Sequence, residues 1–185
     1  MSALEHPGYV LRPLRRAEYE RLVEAGAFES ERVELLEGFL VERSPQPASH
    51  ASAIEVLTDL LYSARQPGQK VRVQLPLALG DESEPAPDLC VVPAGDHRQR
   101  HPSGALLVIE VAESSLAKDR RKSTIYARAG VPEYWLVDVE NQRVEVRTQP
   151  EGGAYLQQET VASGGELQPS LLPGSKVSVD RIFAG

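Results

Sequence analysis

The chain has 185 residues, 41% of them apolar, with 27 acidic against 20 basic side chains and a net charge of -7; this is enough for one closed hydrophobic core, read as a single domain over 1–185. An acidic balance disfavours nucleic-acid binding unless Lys and Arg gather on one surface. The single cysteine, Cys90, excludes an intrachain disulfide and a Cys/His ligand cluster. No apolar run approaches bilayer length, and Glu5, His6 and Pro7 stand where an apolar leader would lie, so a soluble, unprocessed cytoplasmic protein with no membrane partner is expected.

Pro13 followed by Leu14, Ala17, Tyr19, Leu22 and Val23, closed by Gly26, predicts a short amphipathic helix. From Arg32 to Arg43 two apolar runs flank Glu37-Gly38, which predicts a hairpin turning there. Ser44-Pro45-Gln46-Pro47 must be loop, and Ser49 is placed to cap a helix whose apolar stripe carries His50, Ile54, Leu57 and Leu61. Val71, Val73, Leu75, Leu77 and Leu79 alternate as a half-buried strand does. The acidic, proline-bearing segment 81–87 reads as exposed loop. Asp88 to Val92 and Leu106 to Ala112 are compact apolar runs, as in central strands covered on both faces. Leu116 to Ala129 reads as a basic helix ended by Gly130 and Pro132, and Glu133 to Val139 as the next strand, which is the order of a parallel crossover. Gln142 to Arg147 and Tyr155 to Val161 suit an antiparallel meander, and Leu167 to Phe183 a closing segment with a short strand near Val177. The sum is a mixed α/β fold, a core over about 14–140 with an extension of extra antiparallel strands over 141–185.

Two carboxylates fall where carboxylates are costly. Glu110 lies inside Leu-Leu-Val-Ile-Glu-Val-Ala, where an unpaired ionised group would face several kcal/mol of desolvation or a raised pKa. Asp88 opens the neighbouring strand after Pro87, so adjacent strands bring the two acids toward one cation, and hard carboxylates with waters suit Mg²⁺ or Mn²⁺ better than Zn²⁺. Lys122 shares a helix face with Ile125, Tyr126 and Ala129 and should point at the sheet. Each residue has a plainer reading: a strand-end aspartate can cap a loop, and an amphipathic lysine can run past apolar neighbours to solvent.

Pro87-Asp88, Glu110 in an apolar strand and a displaced lysine together resemble the PD-(D/E)xK nuclease superfamily. More closely, Arg32-Val-Glu-Leu-Leu-Glu-Gly38, Ser44-Pro45, His50, Val108-Ile-Glu-Val111, Asp119, Lys122, Tyr126-Ala127 and Gly130-Val-Pro-Glu-Tyr-Trp-Leu-Val-Asp138 resemble the Uma2 group of restriction-endonuclease-like proteins, also known as DUF820. That resemblance implies an αβββαβ core, a mixed central sheet flanked by helices, and a metal-dependent phosphodiesterase site for DNA. It implies Asp88, Glu110 and Val111 as metal ligands, Lys122 as the lysine assisting the attacking water, and Glu34 as a further acidic member. His50 and Tyr126 are expected behind these groups, orienting them. The chain departs from the superfamily in having Ala112 two residues after Glu110, where the lysine commonly stands, and from the family in reading Ala112-Glu-Ser-Ser115 where a proline is common.

Competing readings remain open at this level. His50 and the Tyr134-Trp135 pair are more often core residues than ligands or base-stacking groups. Arg98, Arg100 and His101 form a loop that either meets DNA backbone or is simply solvated, and Ser114-Ser115 lacks the His and acid a nucleophile needs. The leading expectation is a Mg²⁺-dependent endonuclease, working as a homodimer because two antiparallel strands call for two related sites. The alternatives are a catalytically inactive nuclease-like binding or interaction module, and a metal-dependent hydrolase of small phosphate esters.

Overall fold

In the computed structural model, which describes residues 12–113, 116–170 and 174–184, the first helix is α1 (Arg16–Glu24), buried through Tyr19. The hairpin follows as β1 (Val33–Leu36) and β2 (Phe39–Glu42), paired antiparallel from Val33↔Glu42 to Leu36↔Phe39. Its turn needs left-handed backbone at both positions, φ 49° at Glu37 and 83° at Gly38. Gly38 is also a close approach, since a Cβ there would lie 2.3 Å from Pro13 Cβ. This hairpin is a separate two-stranded sheet laid beside the main one.

Helix α2 (Ala48–Ala64) buries His50, Ala53, Ile54, Leu57 and Leu61 on one stripe, the period expected. Ser49 does not cap it. The helix begins two residues earlier than a Ser49 cap would start it, with Pro47 at the cap position and no side-chain cap bond, and the Ser49 hydroxyl donates instead to the Glu113 carboxylate at 3.0 and 3.1 Å.

Strand β3 (Gln69–Val73) stops short of the alternation that predicted it. Gln74 N–H makes the last in-register bond, to Asp88 O at 3.0 Å, and its φ of 52° then turns the chain off the ladder. Beyond it Leu77 and Leu79 are buried as loop residues and Leu75 is exposed. The acidic loop is corrected the other way: Asp81 and Glu82 are exposed, but 83–87 are buried. Two isolated bridges, Leu79↔Ser83 and Leu35↔Glu84, stitch this segment between the hairpin and the sheet, and prolines at 85 and 87 leave fewer N–H groups to satisfy.

The remaining elements are β4 (Leu89–Pro93), β5 (Leu107–Ala112), α3 (Leu116–Arg128), β6 (Glu133–Asp138), β7 (Arg143–Glu151), β8 (Ala154–Ala162), β9 (Glu166–Leu167), β10 (Val177–Ser178) and α4 (Val179–Phe183). The main sheet has the order β3-β4-β5-β6-β7-β8. Only β5 and β6 pair in parallel, joined by the α3 crossover, while β3-β4-β5 and β6-β7-β8 are antiparallel. The run α2-β3-β4-β5-α3-β6 is the αβββαβ order, with β7 and β8 added as antiparallel strands.

Odd-numbered side chains of β5 (Leu107, Ile109, Val111) pack with α2 residues and Trp135 in one core, and Val108 and Ala112 pack with Ile125, Tyr126 and Tyr134 of the α3 side in another. Period 2 along a strand covered on both faces therefore delivers Glu110 to the α3 side. Trp135 and Tyr134 are 1% and 0% exposed, core residues with no face for stacking bases. Burial pushes the Cys90 thiol up to about 12, so it is not a nucleophile. The Ser114-Ser115 pair and the start of the chain lie outside the described residues.

The buried 83–87 segment carries an acid with it. Glu84 is 5% exposed and its Oε2 has no hydrogen-bond partner; burial first, then the charge of Glu20, push its carboxyl up to about 7. A raised folded-state pKa means that the native state holds the proton more tightly, so stability is fully present below about pH 4.5 and is lost as pH rises through about 7. Glu84→Gln is expected to gain on the wild type by about 1–3 kcal/mol between pH 5.5 and 8.5. Urea unfolding of both proteins at the two pH values checks this, and a constant difference would contradict it.

Candidate active site

The β4–β5 register pairs Leu89 with Ile109, so one step further along the same ladder Asp88 stands opposite Glu110. Residues opposite each other in an antiparallel pair share a face, and both line one cleft, together with Glu34, Arg43, His50, Val111, Lys118, Asp119 and Lys122. The floor is the end of β4 and β5, one wall is the end of the hairpin with the Ser44–Pro47 loop, and the other is the first turns of α3.

Lys122 lies at the centre. Its Nζ donates to Glu110 Oε1 at 3.0 Å and lies 2.9 Å from Glu34 Oε2. The side chain is 3% exposed, which would normally favour the neutral amine; burial pulls its pKa down, yet Glu110, Glu34 and Asp119 together carry it above the ordinary lysine value. Glu110 shifts upward, driven by burial, with Lys122 opposing and Asp88, Asp119 and Glu34 reinforcing the rise. Tyr126 OH also donates to Glu110 Oε1, at 2.6 Å. Burial first, then Glu110, hold that phenol well above its usual pKa, so it remains a donor.

Asp88 is held differently. Its Oδ2 accepts the Val111 N–H at 3.0 Å and lies 3.3 Å from His50 Nε2, while Gln74 Nε2 donates weakly to Oδ1 at 3.5 Å. Burial alone would raise its pKa, but the hydrogen bond from His50, the Val111 N–H and the charges of His50 and Lys122 leave it below the usual aspartate value. His50 is shifted upward in return: burial opposes this, and the Asp88 hydrogen bond and charge and the Val111 backbone outweigh burial. The buried side chain of the α2 stripe is thus a polar partner of Asp88.

Glu34 reaches the cleft from β1. It is 1% exposed, its Oε2 accepts the Ala86 N–H at 3.2 Å, and its Oε1 has no hydrogen-bond partner. Asp88, Glu110, Lys122, Glu34, His50, Val111 and Tyr126 are therefore brought together. Among the described residues, no group of three or more His, Cys, Asp and Glu side chains is disposed to hold a metal ion. The oxygens on offer belong to two carboxylates, Asp88 and Glu110, and the Val111 backbone. These are hard donors in a cleft short of positive charge: Glu34, Asp88, Glu110 and Asp119 are all buried, and among the described residues Lys122 is the one lysine or arginine buried with them. That chemistry fits a divalent cation with oxygen ligands.

Other charged residues have local jobs. Glu133 accepts Trp135 Nε1 at 2.6 Å and Ser170 N at 2.8 Å, and Asp138 accepts Arg143 Nε at 2.9 Å and the Asn141 side chain. Arg120 and Arg147 both pair with Glu145, Arg128 with Glu37, and Arg98 with Asp96. Arg43 and Glu113 line the cleft although no periodicity singled them out; both sit just past a strand end, where side-chain direction follows the loop rather than the pleat.

No curated protein matches the chain. Among solved structures, a crystal structure described as a "putative nuclease belonging to DUF820" from Anabaena variabilis ATCC 29413 superposes with a TM-score of 0.77 over 93% of this chain and 98% of that one, at 17% identity. At that identity the likeness speaks for the fold. The family model Uma2, described as "Putative restriction endonuclease", matches residues 16–180, and the chain belongs to this nuclease-like family.

Proposed function

We propose that the protein is a divalent-metal-dependent DNA endonuclease, with Asp88, Glu110 and the Val111 carbonyl as the metal-holding set and Mg²⁺ or Mn²⁺ as the ion. The observation that carries this reading is a buried lysine hydrogen-bonded to Glu110, on a strand end where Asp88 stands opposite Glu110. When bound, such a cation supplies Lewis-acid polarisation of the phosphodiester.

The chain's own residues account for the rest. Asp88 stays ionised because His50 and the Val111 N–H hold its charged form. Tyr126 and Lys122 converge on Glu110 Oε1 and hold the carboxylate in place. Glu34 anchors Lys122, whose remaining N–H directs a water toward phosphorus and offsets the negative charge that builds as the P–O bond to the leaving oxygen breaks. Cutting both strands of a duplex calls for two such sites, which a symmetric dimer would provide.

The test is supercoiled plasmid incubated with purified protein. Nicking in Mg²⁺ or Mn²⁺ and none in EDTA is the expected result. DNA binding without cleavage of plasmid, single-stranded or branched DNA in either metal would favour a binding module without turnover. Ala112, where the superfamily lysine commonly stands, and the net charge of -7 speak for that second reading.

A further inference from the structure

Lys122 has its hydrogen bonds inside the protein, but two other cations at the same cleft do not. Arg43 ends the hairpin; its backbone N–H donates to Arg32 O at 2.7 Å, which fixes where the side chain starts. The side chain is only 15% exposed, yet the guanidinium comes no nearer to a carboxylate than 3.7 Å, at Asp88 Oδ1, and it makes no hydrogen bond among the described residues. Lys118, on the first turn of α3 across the cleft, repeats the pattern: its Nζ is 3.7 Å from Glu34 Oε1, with a side chain 31% exposed. At 3.7 Å the attraction keeps both heads over the cleft while leaving their donors unspent.

We propose that Arg43 and Lys118 are a phosphate-binding pair, gripping the nucleic-acid backbone from opposite walls; this rests on the nuclease reading. Glu34, Asp88, Glu110, Glu113 and Asp119 all line the cleft and would repel a polyanion approaching without counter-charge. The two cations are more exposed than the acids they face: the Arg43 and Lys118 side chains are 15% and 31% exposed, those of Asp88 and Glu34 7% and 0%. The guanidinium fork matches two oxygens of one phosphate, and the ammonium acts as a point charge on a neighbouring one. Arg43 lies on the Asp88 side and Lys118 on the Glu34 side, so a strand held by both passes over the acid pair with a phosphodiester above it. An acidic protein thereby binds DNA through two placed cations rather than a broad basic face.

The experiment is the salt dependence of binding to a short fluorescein-labelled duplex, followed by anisotropy in Ca²⁺, with the duplex confirmed intact on a gel. Arg43→Gln and Lys118→Gln are each expected to weaken binding and to lower the slope of log K against log salt by about 0.9, and the double variant by about 1.8. Arg43→Lys keeps the charge and should keep the slope. Thermal unfolding of each variant separates lost contacts from lost fold. Slopes equal to that of the wild type would show that the two residues merely balance Asp88 and Glu34, which overturns the pair and leaves the nuclease reading standing. A wild type that neither binds the duplex nor nicks plasmid overturns both.

Discussion

Replacing Lys122 with Met is expected to lower the unfolding free energy by about 3–5 kcal/mol at neutral pH, because it strips the counter-charge from two buried carboxylates at once. Glu34 and Glu110 contact the same ammonium at 2.9 and 3.0 Å, and both are at most 3% exposed, so water cannot take its place. The deficit carries a pH signature. In the variant Glu110, pushed upward by burial and no longer opposed by Lys122, has a folded-state pKa above its unfolded one, so the destabilisation is present at neutral pH and shrinks as pH falls toward the unfolded carboxylate range. Adding Glu110→Gln to the variant should recover part of the loss, since one buried charge is then gone. Urea unfolding at pH 7.5 and pH 5 decides it; a neutral-pH loss under about 1 kcal/mol would mean that Lys122 is not the counter-ion.

Asp88→Asn should leave the fold intact and lower DNA cleavage by more than about 100-fold, since even groups that only orient a metal ligand are worth about 10–100-fold. The amide is isosteric and can still accept the Val111 N–H and face His50, but it has no charge for a cation. His50→Gln is the graded companion. It removes the group 3.3 Å from Asp88 Oδ2 and should cost about 10–100-fold, with the loss partly relieved by raising the metal concentration. Steady-state nicking rates titrated with Mg²⁺ separate the two. An Asp88→Asn protein that cuts at the wild-type rate would remove Asp88 from the site.

What could be read from the residues follows the strength of their periodicity. The α2 stripe and the Glu37-Gly38 turn emerged as expected because each is a local pattern with a local cause. The Asp88 and Glu110 strands were legible because an acid in an apolar run contradicts its surroundings. The failures fell where long-range contacts override local pattern. Leu75, Leu77 and Leu79 alternate like a strand, yet the left-handed backbone at Gln74 turns the chain off the ladder, and Leu77 and Leu79 fill the core from a loop while Leu75 is exposed. Segment 83–87 looks like solvated loop and is buried, because the hairpin closes over it. Ser49 has the chemistry of a helix cap and spends its hydroxyl on Glu113, 64 residues away.

By itself the sequence determined which side chains are apolar, where helices and strands could form, and that two acids would be trapped in the sheet with a lysine facing them. Which partner each charge finds was decided only by the tertiary structure. Lys122 bridges Glu34 and Glu110, His50 turns to Asp88, and Arg43 and Lys118 are held near acids without being consumed by them. The reason is physical: burial is a local tendency written in hydropathy, whereas the energy of a buried charge depends on its distance to every other charge, and chain folding alone sets those distances.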